Sequence, residues 1–150
     1  MMTNSGNRAT QPARWRAGLG QLLLAGGLSL AGLSIAEAAT STALSCSQTD
    51  VQNAINAANN GDTVLLPGGV CAWSSSVTIP STKGITLDGN GATVSGHINL
   101  QQNANITSRI TRFTFTSTNA VQTHGSKATA AFRVDHNNFT SGDVMLVGTI

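Results

Sequence analysis

The chain has 150 residues, a formal net charge of +2 and a pI near 8.9, with only 9% charged and 4% aromatic residues. The excess charge comes from Arg8, Arg14 and Arg16; beyond residue 38, Lys83, Arg109, Arg112, Lys127 and Arg133 balance Asp50, Asp62, Asp88, Asp135 and Asp143. No basic stripe is left to follow a phosphate backbone, and Trp73 and the four phenylalanines are spaced as for a core, which argues against nucleic acid as a partner.

Residues 1–38 read as an export signal. Arg8, Arg14 and Arg16 form the positive segment, Leu22 to Leu33 the apolar one, and Ala36-Glu37-Ala38 an A-x-A cleavage site. The rival reading is a membrane anchor over residues 17–36. Its apolar core is broken by Gly26, Gly27, Ser29 and Gly32, and is short against the ~20 residues a bilayer needs. The sequence therefore predicts a mature chain that starts near Ala39, is secreted or periplasmic, and keeps no stable membrane span.

From Thr49 the pattern changes to a short amphipathic helix, expected over about 49–60. Thr49-Asp50-Val51-Gln52 fits a capping box, with Asp50 at the positive end of the helix dipole. Val51, Ala54, Ile55 and Ala58 fall at i, i+3, i+4 and i+7 and form one apolar face. Asn60-Gly61 supplies a left-handed stop. After it come short β runs, Thr63 to Pro67, Trp73 to Ile79 and Gly84 to Leu87, punctuated by Pro67-Gly68-Gly69.

This order resembles the N-terminal entry of secreted right-handed parallel β-helix proteins, the pectin-lyase-like or pectate lyase superfamily. In those proteins a helix of the form xVQxAIxAAxxGDTV covers the open end of the coil and leads into a P-x-G turn and a W-S-S strand. Here Val51, Gln52, Ala54, Ile55, Ala57, Ala58, Gly61, Asp62, Thr63 and Val64 match the helix and first strand. Pro67 and Gly69 match the turn, Trp73, Ser74 and Ser75 match the W-S-S strand, and Gly84 to Leu87 extend the likeness. The resemblance implies an all-β right-handed parallel solenoid over residues 39–150 with an N-terminal capping helix, and a protein that binds or acts on polysaccharide. The fold hosts lyases, hydrolases, isomerases and adhesins alike, so it does not select one activity.

An exported chain meets an oxidising compartment, where disulfides persist. On the fold that the resemblance implies, Cys46 before the helix and Cys71 after the first strand come together, and a bridge would tie the helix to the first coil. Two free buried thiols are the alternative. A metal pair lacks third and fourth ligands at a recognisable spacing.

Beyond Leu87 a weak repeat sets in. Leu87, Ile110 and Val134 head similar segments 23 and 24 residues apart, and RITRFTFT aligns with RVDHNNFT. A period in the twenties suits coils that bury their inner face only by stacking. The inward residues are expected to be Leu65, Ile79, Ile85, Leu87, Val94, Ile98, Leu100, Ile106, Ile110, Phe113, Phe115, Phe132, Val134, Phe139, Met145 and Val147. A one-residue slip would reverse any strand. A β-sandwich also uses many short strands, but needs neither the leading helix nor the repeat.

The chemical motifs are sparse. Asp88-Gly89-Asn90-Gly91 begins like a calcium loop, but Ala92 holds the next acidic position and no glutamate closes it, so it reads as a tight turn. Phe132-Arg133-Val134-Asp135-His136 is similar to a W-I-D-H segment of pectate lyases, which makes Asp135 and His136 the catalytic candidates; the same letters also serve as ordinary coil sequence. Uronan lyases need an acidic cluster for Ca²⁺ and a base, and glycosidases need paired carboxylates. The five aspartates are spread singly, with Asp62, Asp88 and Asp135 read as occupying different places in the repeat. No cofactor is evident, and Ca²⁺ enters only through the resemblance. Asn105-Ile106-Thr107 and Asn138-Phe139-Thr140 have the form of glycosylation sequons, with Asn138 read as a turn residue and His97 and His124 as isolated surface or turn residues. The apolar run Val144 to Ile150 carries no covering segment after it. The chain is therefore expected to be the N-terminal part of a longer protein, silent as a catalyst on its own and prone to associate through its last coil. A non-enzymatic adhesive scaffold is the alternative function.

Overall fold

The computed structural model describes residues 37–102, 105–125 and 132–148. The export signal and its rival membrane anchor lie outside them, apart from Glu37 and Ala38. Among the described residues no helix is long and apolar enough to cross a membrane.

The described residues open with β1 (Thr40–Thr42) and one helix, α1 (Gln48–Ala57). The chain then winds through four coils of three short strands each. The first coil is β2 (Thr63–Leu65), β3 (Val70–Cys71) and β4 (Val77–Ile79); the second is β5 (Thr86–Asp88), β6 (Thr93–Val94) and β7 (Ile98–Gln101). The third is β8 (Ser108–Thr111), β9 (Thr114–Phe115) and β10 (Val121–Gly125); the fourth is β11 (Phe132–Asp135), β12 (Asn138–Phe139) and β13 (Val144–Gly148). Each strand pairs in parallel with the corresponding strand of the neighbouring coil, giving three sheets: A (β1-β2-β5-β8-β11), B (β3-β6-β9-β12) and C (β4-β7-β10-β13). This is a parallel β-solenoid. A sandwich would have paired its strands antiparallel.

The register follows the sequence repeat. Val64, Leu87, Ile110 and Val134 stack in one column of sheet A, and the first three are fully buried. In sheet B, Cys71, Val94, Phe115 and Phe139 form the inward column. The Phe115 ring stacks on Phe113 and on Phe139, with centroids 5.2 Å apart in each pair. In sheet C, Val77, Ile98, Val121 and Val144 stack inward, with Ile79, Leu100 and Thr123 in the parallel column. Asn137 fixes the last turn: its Oδ1 accepts from Phe113 N at 2.9 Å and its Nδ2 donates to Ile110 O at 3.0 Å.

The helix differs from expectation at both ends. Its N-cap is Ser47, whose Oγ accepts from Asp50 N at 3.2 Å; Thr49 lies inside the first turn. Gln52 does not reach back to the helix start. It binds the edge of sheet C, accepting from Thr78 N at 2.8 Å and donating to Thr78 O at 3.0 Å. Helical geometry ends at Ala57, and the left-handed Gly61 (φ +92°) comes after an extended Ala58. Lys83 Nζ donates to the free carbonyls of Asn56 and Ala58 at this end, where a cation also suits the dipole. Val51, Ile55 and Ala58 are buried as expected, with Ala54 packed beside them.

Three inward assignments are corrected. In Thr63-Val64-Leu65-Leu66, Val64 and Leu66 are buried and Leu65 is half-buried, because the uninterrupted apolar run offers no polar residue to set the phase. In β13, Val144 packs on the core while Met145 and Val147 are exposed. Asn138, read as a turn residue, belongs to β12 and is exposed. The disulfide is formed: Cys46 and Cys71 are bridged, with Cα atoms 5.3 Å apart. Trp73 Nε1 donates to Cys46 O at 3.0 Å beside it.

Candidate functional site

The outward positions of sheet A carry four charged side chains, Asp88, Arg109, Arg133 and Asp135, with Arg112 in the turn beside them. Thr86, Arg109 and Arg133 stack in one outward column, and Leu65, Asp88, Thr111 and Asp135 in the other. Asp88 and Asp135 therefore share one place in the repeat, contrary to the sequence reading; only Asp62, just before β2, stands apart. Strand spacing of about 4.8 Å puts them two rungs, roughly 10 Å, apart along the solenoid axis.

The long cations bridge these rungs. Arg109 forks onto Asp135 of the next coil, Nε to Oδ1 at 2.8 Å and the second nitrogen to Oδ2 at 2.9 Å. Arg112 forks back onto Asp88 of the preceding coil at 2.7 and 2.5 Å. It does so from a left-handed turn position, φ +61°, and His136 occupies the equivalent position one coil on with φ +54°. Arg133 Nε also meets Asp135 Oδ2 at 2.8 Å, and His136 Nδ1 lies 3.1 Å from the same oxygen. Thr111 lies between the two carboxylates in the column, 2% exposed, with no partner for its Oγ1.

This geometry places both sequence candidates. Asp135 is the hub of the network and His136 a largely exposed turn residue leaning on it. Hydrogen bonds from Arg109, then from His136, and the nearby positive charges hold the Asp135 carboxyl well below the usual carboxylate range. A general base works best with a pKa near the working pH, so Asp135 in this arrangement is a poor one. Both carboxylates are engaged by guanidinium forks, and among the described residues no three His, Cys, Asp or Glu side chains converge. Arg109 and Arg112 escaped the sequence reading as members of the site, although Arg109 occupies an outward position of the repeat and Arg112 follows one.

Asp62 has a different task. It is buried and accepts from Ala39 N and Asn59 N, each at 2.8 Å, joining β1 to the segment after the helix. These backbone donors, Ala39 foremost, lower its pKa. For Asp62 and Asp135 alike, a carboxylate with a depressed folded pKa stabilises the fold above its unfolded pKa of about 3.9, and that contribution is lost as pH falls through the folded value. The melting temperature is expected to be level between pH 7 and about 5 and to fall below about pH 4. A melting temperature that rose on acidification in a pH series of calorimetric scans would contradict the assignment.

Together these features define the class as a parallel β-solenoid of four described coils with a charged, rung-bridging outer face on one sheet. No family model, curated protein or solved structure matches the chain.

Proposed function

We propose that the chain is an exported right-handed β-helix of the pectate-lyase-like kind, in which α1 caps the first coil and the outer face of sheet A binds polysaccharide without cleaving it. The observation that carries this reading is the charged column itself. A regularly stepped face of three guanidinium groups against two carboxylates, with Arg133 largely exposed, offers a linear polymer repeated polar contacts and a small positive excess. The engagement of both carboxylates by arginine favours the binding scaffold over a lyase or hydrolase. The Cys46–Cys71 bridge is in keeping with a secreted or periplasmic location.

Affinity electrophoresis tests the reading. Mobility through gels containing pectate or alginate should fall relative to a plain gel, and Arg133→Ala should restore most of it without lowering the melting temperature appreciably. Equal mobility of the native chain in all gels, or release of unsaturated or reducing sugar ends, would contradict it. Export is tested separately: N-terminal sequencing of the protein recovered from periplasm or medium should begin near Ala39, and a sequence starting at Met1 or Met2 would exclude cleavage.

A further inference from the structure

We propose that the Cys46–Cys71 bridge is a releasable latch on the N-terminal end of the solenoid, and that opening it lets two copies of the chain pair end to end through β4. Such a latch is independent of glycan binding. Its structural basis is the cover on the edge of sheet C. On one side β4 pairs with β7; on the other, among the described residues, it meets no strand but the side-chain amides of α1. Gln52 satisfies both the N–H and the C=O of Thr78, as a neighbouring strand would. One helical turn earlier, Gln48 accepts from Ser75 N and donates to Ser76 O, each at 3.2 Å. An edge that needs such a substitute is, once uncovered, a template for another chain.

The cover is held lightly by everything except the bridge. A ten-residue helix is marginal on its own. Its apolar contribution is Val51 and Ile55 with Ala54 packed beside them, and the disulfide is the covalent tie to coil one besides the chain that leads out of the helix. Cutting a tie across 25 residues should raise the lifted population by roughly a hundredfold. Cys71 is 1% exposed while Cys46 is half-buried, so a thiolate from a dithiol reductant attacks the Cys46 sulfur and Cys71 leaves as thiolate. The second thiol of the reductant then resolves the mixed disulfide. Two electrons pass to the protein, two protons complete Cys46 and Cys71 as thiols, and the reductant leaves as its own disulfide.

With the helix lifted, the inward side chains of β4, Val77 and Ile79, lose their cover together with the free edge of that strand, while β1 still flanks β2. Two such ends are identical, and a two-fold pairing covers both and closes on itself, with β4 antiparallel to its copy.

Light scattering on a sizing column, with and without dithiothreitol at a temperature where circular dichroism retains the β signal, reads the outcome. The expected result is a twofold rise in mass on reduction, reversed on reoxidation and absent in reduced Thr78→Pro, which lacks the N–H that the pairing needs. Should that variant not fold, the oxidised Gln48→Leu/Gln52→Leu chain provides the second readout. Its Ser75 and Thr78 amides should exchange faster than in the native chain while its mass stays that of the oxidised protein. Unchanged mass on reduction, open-ended polymers, loss of the β signal on reduction, a doubling that persists in Thr78→Pro, or native exchange in the glutamine variant would each overturn the proposal.

Discussion

Phe115→Ala is expected to be the most damaging single substitution in the solenoid, lowering stability by about 3–5 kcal/mol. Phe115 is fully buried and sits mid-stack, between Phe113 of its own coil and Phe139 of the next. It also lies in register on Val94 of the coil before. Removing the ring takes away its own transfer energy and leaves a void that three coils line. Stacked strands cannot close such a void without giving up their hydrogen-bond ladder, so little relaxation is available. In a solenoid, where stability is a sum of nearest-neighbour terms, the loss also weakens the coupling between coils on both sides. Chemical denaturation should show the midpoint falling accordingly. Phe115→Leu, which keeps most of the volume, should lose well under half as much; equal losses would mean that the stack contributes no more than any apolar filling.

The second large effect is expected from Cys46→Ser/Cys71→Ser. Closing a loop of this size restricts the unfolded chain by about 3 kcal/mol on the entropy estimate, and the bridge also positions Cys46 O for the Trp73 indole. The double variant should therefore melt well below the oxidised protein, and the oxidised protein with reductant added should match it. If the double variant melted within a degree or two of the oxidised protein, the bridge would contribute little beyond the packing around it.

How much of this was legible beforehand varies residue by residue. Leu87, Ile110 and Val134 could be aligned from sequence because inward apolar positions recur with the coil, and the register reproduces that alignment. The apolar face of the helix was equally visible, since burial demands the 3.6-residue period. The helix start was not, because Ser47 and Thr49 are both competent caps, and only the fold decides which hydroxyl meets a free N–H. The phase of Val64-Leu65-Leu66 and of Val144 to Val147 was ambiguous for want of polar alternation. β1 carried no signal at all: Thr40-Ser41-Thr42 has no apolar residue, and its strand is specified by pairing with β2.

The site was legible in part. Asp135 and His136 drew attention through a resemblance, yet Asp88 stands in the same column and succeeds Leu87 as Asp135 succeeds Val134. Comparing both with Asp62 hid that equivalence. Arg109 and Arg112 could not be paired from sequence, because which rung a long side chain bridges depends on its rotamer and on turn geometry. The left-handed position of Arg112, which aims it backward, has no marker in an arginine.

All of these columns exist only if the coils stack in parallel with a period of 23 to 24 residues in sheet A. Methyl-resolved NMR distances measure this directly. Close contacts are expected from Val64 to Leu87, Leu87 to Ile110 and Ile110 to Val134, and none from Val64 to Ile110, which are two rungs apart. Contacts joining consecutive strands in antiparallel order, or a shift of the pattern by one residue, would contradict the parallel stack and dissolve the charged face of sheet A with it.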